Sequence, residues 1–173
     1  MKKLLAAIFM SITLSATAQS NKLNINNAAI SCKNGERFMQ QKKYDSAFIM
    51  FSKAIALQPT TKYYCKRGAC LLIQKKYDKA LFDFDSSIVK DSNYSEAYFL
   101  KAIAFQFTNK TTDAITHYSK AIAINPNYTD AYLMRGILYA TLKKKNQACS
   151  DLKKAAQLGS DKAKLHINEI CGS

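Results

Sequence analysis

The chain has 173 residues, a length that suits one compact unit, and its 26 basic and 12 acidic residues give a formal net charge of +14. This excess of positive charge indicates either an anionic partner or a strongly solvated surface. The two histidines and the absence of Gly-x-Ser-x-Gly, His-Glu-x-x-His, Cys-x-x-Cys and phosphate-binding glycine motifs argue against the common enzyme classes.

The first eighteen residues predict a bacterial-type secretory signal. Lys2 and Lys3 form a positive start, Leu4 to Leu14 are mostly apolar, and Ala16-Thr17-Ala18 is a small-x-small cleavage site, which places the cut before Gln19. The apolar run is short for a membrane span, which needs about 20 residues, so cleavage is favoured over an uncleaved anchor. We therefore expect an exported protein, periplasmic or secreted, with no membrane span after cleavage.

Removal of residues 1–18 leaves 155 residues and, with Lys2 and Lys3 gone, a net charge of +12. Residues 19–27 are polar and rich in asparagine, and they predict a mobile lead-in to the folded part. Because the protein is expected to be exported, nucleic acid is not an expected partner.

Beyond residue 27 the sequence contains a repeated pattern of residues at fixed spacings, which we call the frame. Ala47, Ala80, Ala114 and Ala148 recur at spacings of 33, 34 and 34 residues. A fixed period of this size is typical of helical-hairpin repeats, in which each unit buries its apolar face against a neighbour. Residues at fixed offsets from these alanines are Phe51, Phe84, Tyr118 and Leu152, then Ala54, Ser87, Ala121 and Ala155, and upstream Gly35, Gly68, Ala102 and Gly136.

The frame resembles the tetratricopeptide repeat, most fully in the third unit, where Tyr98, Lys101-Ala102, Phe105, Ala114, Tyr118, Ala121 and Pro126 stand in order. The resemblance implies an all-α solenoid of four tandem helix-turn-helix repeats with a short C-terminal capping helix. The repeats are expected at residues 28–60, 61–94, 95–128 and 129–162, and the capping helix at 163–173.

In this family the first helix of each repeat lines a concave groove, so the resemblance implies a module that binds a protein partner there. From this, together with the predicted signal and the lack of catalytic motifs, we expect a non-enzymatic interaction module of the cell envelope. Family members that clamp a peptide carboxylate do so with Asn and Lys or Arg on this face, whereas the corresponding stretch of this chain has Cys, Phe and Leu, which favours a hydrophobic helix or extended segment as ligand. For Phe99 and Phe107, a role in the core is an equal alternative. The implied groove residues are Cys65, Ala69, Leu72, Ile73, Phe99, Ile103, Phe107, Leu133 and Ile137.

Lysines cluster in the turns between the two helices of three repeats. Stacked repeats would align these turns along one edge as a basic ridge for an acidic protein, an anionic glycan or lipid headgroups. This gives an alternative function, a basic adaptor on anionic envelope material. Solvated turns that merely keep the protein soluble remain an equal explanation. The basic ridge consists of Lys42, Lys43, Lys75, Lys76, Lys143, Lys144 and Lys145.

Two residue pairs were weighed as chemical sites. Asp113 and His117 lie four residues apart on a predicted helix, but an acid–imidazole pair without a nucleophile is typical of a helix surface. His166 and Cys171 have too few companions for a zinc site. We therefore expect no catalytic residues, no metal and no cofactor.

A disulfide is expected between Cys149 and Cys171. The capping helix should run antiparallel to the helix that carries Cys149 and bring Cys171 close to it, and export makes the bond chemically permitted. Two ordinary thiols remain the alternative, since unpaired cysteine is a common apolar filler. Cys65 and Cys70, five residues apart on one helix, should not bridge, and Cys32 stays unassigned with them.

Overall fold

The computed structural model describes the backbone of residues 2–172 and the side chains of residues 17–172. Within that range the chain forms nine helices and no strand, which confirms the expected all-α repeat solenoid with a C-terminal helix. Two helices make each repeat. They are α1 (Lys2–Gln40) with α2 (Tyr44–Leu57), α3 (Thr61–Ile73) with α4 (Tyr77–Lys90), α5 (Ser95–Phe107) with α6 (Thr111–Ile124), and α7 (Thr129–Thr141) with α8 (Lys145–Gln157), followed by α9 (Asp161–Cys171).

The first helix is longer than the sequence predicts. Residues 19–27, expected as a mobile lead-in, are helical and continuous with the rest of α1, although their side chains are exposed up to Ala28. The physical reason is that no glycine or proline interrupts the chain before Gly35. Most of the predicted signal at 1–18 lies outside the residues whose side chains are described. In the described part of the chain, no helix has both the length and the apolar character of a membrane span.

Small residues let the two helices of each repeat approach closely. Ala80 is fully buried, and Phe84, one turn further along α4, packs against Gly68 of α3. A β-carbon at Gly68 would lie 2.6 Å from the Phe84 ring, which explains why this slot carries a small residue. The third repeat has Ala102 there, with Tyr118 as the buried aromatic partner in its core.

The turn between the two helices of each repeat closes in the same way. In the second repeat, the Lys75 amide donates to the Leu72 carbonyl (3.0 Å) and the Lys76 amide donates to the Leu71 carbonyl (2.8 Å). This is the Schellman pattern, which requires one residue in the left-handed conformation. That residue is Lys42, Lys75, Asn109 or Lys143 in the four repeats, with φ of 58°, 60°, 59° and 57°.

The C-terminal helix covers the end of the stack. Ser160 caps α9 by accepting a hydrogen bond from the Ala163 amide (3.2 Å), so the helix begins at Asp161, two residues before the predicted start. Ala163 is buried against α7 and α8 together with Leu133 and Leu152. The structure also brings together the predicted cysteine pair, Cys149 and Cys171, with an S–S distance of 2.08 Å and a Cα–Cα distance of 5.8 Å.

Candidate binding surfaces

The inner face of the stack holds a cavity. On this face α3 contacts α5, which are the first helices of the second and third repeats, and α7 of the fourth repeat contacts the C-terminal helix α9. A cavity of about 380 Å³ opens between α1, α3 and α5. Its lining combines apolar and charged side chains: Glu36, Met39, Gln40, Phe51, Cys65, Lys66, Ala69 and Glu96.

Charged groups at the cavity are partly paired. Lys66 Nζ lies 3.0 Å from Glu36 Oε1, and Lys62 Nζ lies 3.5 Å from the same oxygen. Burial alone would raise the pKa of the Glu36 carboxyl, but the two lysines outweigh it and hold the pKa below its usual value. Glu96 has a neutral partner, the Tyr94 hydroxyl, which donates to Glu96 Oε2 at 2.6 Å. Glu36 therefore forms ion pairs with two lysines, whereas the exposed Glu96 carboxylate accepts a hydrogen bond from a neutral hydroxyl and interacts electrostatically with the Lys66 charge.

Only two of the predicted groove residues, Cys65 and Ala69, line this cavity. Phe99 instead packs between Tyr118 and Tyr128, with ring centroids 5.6 and 4.8 Å away, as part of the core between the third and fourth repeats. The remaining predicted groove residues lie elsewhere. Leu72 and Leu133 are buried, Ile103 and Ile137 are partly buried against the core, and Ile73 and Phe107 are exposed near the turns.

Sequence reasoning missed Glu36 and Lys66. The repeat period could have found Glu36, because residue 36 stands 33 positions before Ala69, in the slot that Ile103 and Ile137 occupy later. The predicted groove residues begin in the second repeat, because the residues of the first repeat differ most from the repeated pattern. For Lys66 the sequence holds no comparable indication.

The three thiols outside the disulfide, Cys32, Cys65 and Cys70, are buried. Burial raises the pKa of the Cys70 thiol to about 12, and it raises those of Cys65 and Cys32 as well. These thiols therefore stay protonated and unreactive at neutral pH, and Cys65 contributes an apolar wall to the cavity. Cys65 and Cys70 do not bridge, as the sequence predicts.

Neither pair weighed as a chemical site has the geometry of one. His117 Nδ1 lies 2.9 Å from the backbone carbonyl of Asp113, so it meets a peptide group where an acid–imidazole pair would need the carboxylate. His166 contacts Glu169 (3.3 Å) on the surface, while the sulfur of Cys171 is taken up in the disulfide. Within residues 17–172, no group of three His, Cys, Asp or Glu side chains could hold a metal ion.

The basic ridge lies along one edge of the stack. Antiparallel helices joined by short turns place all four turns within repeats, 41–43, 74–76, 108–110 and 142–144, on the same side. Seven of these twelve residues are lysine, including Lys110, which the sequence analysis left out. The turns on the opposite edge, 58–60, 91–94, 125–128 and 158–160, contain no lysine or arginine among fourteen residues. The positive charge of the turns is therefore confined to one edge.

Comparison with known proteins finds family models that match part of the sequence and solved structures that match most of the fold. The family model for the TPR repeat matches residues 108–143, and the model for the tetratricopeptide repeat matches residues 129–159. No curated protein matches the sequence.

Three solved structures illustrate the shared fold. MamA is 24% identical over 83% of this chain and 84% of its own, with a TM-score of 0.71. YrrB, a TPR protein with an unusual peptide-binding site, is 19% identical over 96% and 88%, with a TM-score of 0.68. The first TPR of Spaghetti (RPAP3), bound to an HSP90 peptide, is 21% identical over 69% and 95%, with a TM-score of 0.66.

Domains built from tetratricopeptide repeats are protein–protein interaction modules, and some of them bind peptides. Residues 108–159 of this chain match that family in sequence, and the described helices as a whole have the tetratricopeptide-repeat fold.

Proposed function

We propose that the protein is a non-enzymatic interaction module of the cell envelope that binds an extended segment of a protein partner at its inner face. The observation that carries the proposal is the cavity between α1, α3 and α5, which combines an apolar wall with the exposed carboxylate of Glu96. Apolar pockets with a few placed polar groups are the usual form of a recognition site.

The size of the cavity favours a particular kind of ligand. A volume of about 380 Å³ is at the lower end of the range for ligand sites, roughly 300–1,000 Å³, and holds one or two side chains. An extended segment can insert single side chains in this way, whereas a whole amphipathic helix needs a longer apolar groove. Met39, Cys65 and Ala69 would contact an apolar side chain, and Glu96 would pair with a neighbouring basic one.

Export is part of this proposal. The charged start, apolar run and small-x-small site of residues 1–18 support it, and so does a cysteine pair at bonding distance, since disulfides persist in oxidising compartments. N-terminal sequencing of protein from fractionated cells tests it. We expect a chain beginning at Gln19 in the periplasmic or secreted fraction. A chain that retains residues 1–18 in the cytosol would contradict export.

The binding site is tested with a photoreactive residue at Ala69, inside the cavity, and at Ala56, an exposed alanine of α2, as the matched control. We expect a defined crosslinked partner from position 69 and none from position 56. Ala69→Arg should abolish capture of that partner, while Ala56→Arg should leave it intact with the same helical content. Equal crosslinking from both positions would refute the cavity as the binding site.

A further inference from the structure

We infer that the edge carrying the basic ridge is a second binding surface, distinct from the inner-face cavity, that docks the protein on a membrane rich in anionic lipids. The inference goes beyond partner binding in the cavity and does not depend on it. It rests on two properties of the edge: the sign of its charge and the apolar side chains that accompany that charge.

The first property is a charge that nearby acids do not cancel. With Lys110, eight lysines lie in the four turns or directly after them, and Asp45, Asp78 and Asp113 are the acids that follow in the first turns of the second helices. Solubility alone would not require this bias, because the turns of the opposite edge contain no basic residue. Lysine clusters of this size are attracted to the negative surface potential of anionic lipids.

The second property is exposed apolar surface among these lysines. Ile73 and Phe107 are the last residues of α3 and α5, Leu142 directly follows α7, and these residues are 46%, 62% and 43% exposed. Phe107 also stacks on Tyr77, the residue that follows Lys76, with ring centroids 5.7 Å apart. Each of these three apolar side chains therefore lies in or next to a turn that contains lysine.

The combination of lysines with exposed apolar side chains favours a membrane over the other anionic partners. A soluble acidic protein or glycan needs only the lysines, whereas a lipid surface offers headgroups for the lysines and an apolar boundary for Phe107, Ile73 and Leu142. The turns of the first two repeats are also connected, since Gln74 donates to Asp45 of the neighbouring repeat (3.0 Å) and accepts from Lys76 (2.6 Å). These two neighbouring turns can therefore meet a flat surface together.

Vesicle sedimentation of the full chain tests the inference, with phosphatidylcholine vesicles that contain or lack phosphatidylglycerol. The edge variant changes Lys42, Lys43, Lys75 and Lys76 to glutamine. The control changes four exposed lysines of the second helices, Lys53, Lys90, Lys120 and Lys153, to glutamine, which removes the same charge elsewhere. All variants share one N-terminal segment, so its own affinity for lipid cancels in the comparison.

We expect a much higher affinity for the anionic vesicles than for phosphatidylcholine alone, a loss of that affinity of more than roughly tenfold in the edge variant and a much smaller loss in the control. Phe107→Ser should weaken vesicle binding several-fold, whereas Val89→Ser, at an exposed site on α4, should not. Equal losses in the two lysine variants would overturn the inference. So would an unchanged affinity of Phe107→Ser, which would indicate a soluble polyanion as the partner. Ala69→Arg should bind vesicles normally, which separates this result from the cavity proposal.

Discussion

Arg135 of α7 donates two hydrogen bonds to Asp151 of α8, 2.7 and 2.8 Å long, and a third to the Ser119 hydroxyl of the preceding repeat at 2.8 Å. The rings of Tyr132 and Tyr139 lie 5.8 and 5.9 Å from its guanidinium carbon. One side chain thus joins the two helices of the fourth repeat to the last helix of the third. Two repeats earlier, Arg67 of α3 makes the equivalent contacts with Asp83 of α4 and Ser52 of α2.

Asp151→Ala should destabilise the fourth repeat. The mutation leaves the half-buried Arg135 without its carboxylate, and we expect a loss of about 3 kcal/mol, the lower end of the range for breaking a buried pair. Urea denaturation followed by circular dichroism measures this loss. Asp161→Ala, which removes an exposed carboxylate paired only with Lys164, is the control and should change the midpoint little. Similar effects of the two substitutions would contradict a structural role for the Arg135 pair.

The third repeat should be sensitive to acid. Lys101 and His117 stand where the neighbouring repeats place Arg and Asp, so an imidazole takes the place of the carboxylate that pairs with the basic residue. Burial lowers the pKa of His117, and Lys101 lowers it further, against the opposing effects of the Asp113 carbonyl, the Asp113 charge and Asp85. Because the folded pKa is depressed, the unfolded chain takes up this proton first as the pH falls below about 6.5. The stability contributed by neutral His117 is therefore complete above that pH and is lost below it.

Urea midpoints between about pH 7.5 and about pH 5 check this effect against the unfolded histidine pKa. We expect the midpoint of His117→Gln to fall less with acid than that of the unmodified protein. His166→Gln, which changes a histidine on the surface of α9, should keep the full acid sensitivity. If both variants follow the unmodified protein, the acid sensitivity does not come from His117.

Lys75→Gly should make the protein more stable. Lys75 has a φ of 60°, and the left-handed conformation costs an L-residue roughly 1–2 kcal/mol. Glycine relieves this strain but loses about 0.5–1 kcal/mol through its greater freedom in the unfolded chain, so a gain of up to about 1.5 kcal/mol remains. The same change at Asn109 should gain less, because asparagine adopts this conformation readily. Thermal melts of the two variants measure the difference, and a destabilised Lys75→Gly would refute this account of the turn.

The sequence predicts the repeats well because their determinants are local and periodic. A small residue and a large apolar residue recur in each unit, so Gly68 and Phe84 could be assigned to the core from spacing alone. The Arg135–Asp151 pair was not predicted, because its partners lie 16 residues apart on different helices and only two repeats have it. Phe99 shows a second limit of prediction from sequence, because an apolar residue on a first helix can face either the groove or the next repeat. Only the packing against Tyr118 and Tyr128 places it in the core.

Reduction should loosen the C-terminal end of the stack. The cysteine pair spans 22 residues and joins the start of α8 to the end of α9. A crosslink over this separation contributes about 3 kcal/mol on the chain-entropy estimate. Without it, α9 keeps only its packing against α7 and α8, through Ala163, Ile167 and Ile170, and its amides should exchange faster. Hydrogen exchange with and without reductant checks this, with Cys149→Ser as the control, which should exchange like the reduced protein under both conditions. The buried Cys32, Cys65 and Cys70 should not respond to reductant, so faster exchange of α3 would contradict the assignment of the effect to the Cys149–Cys171 bond.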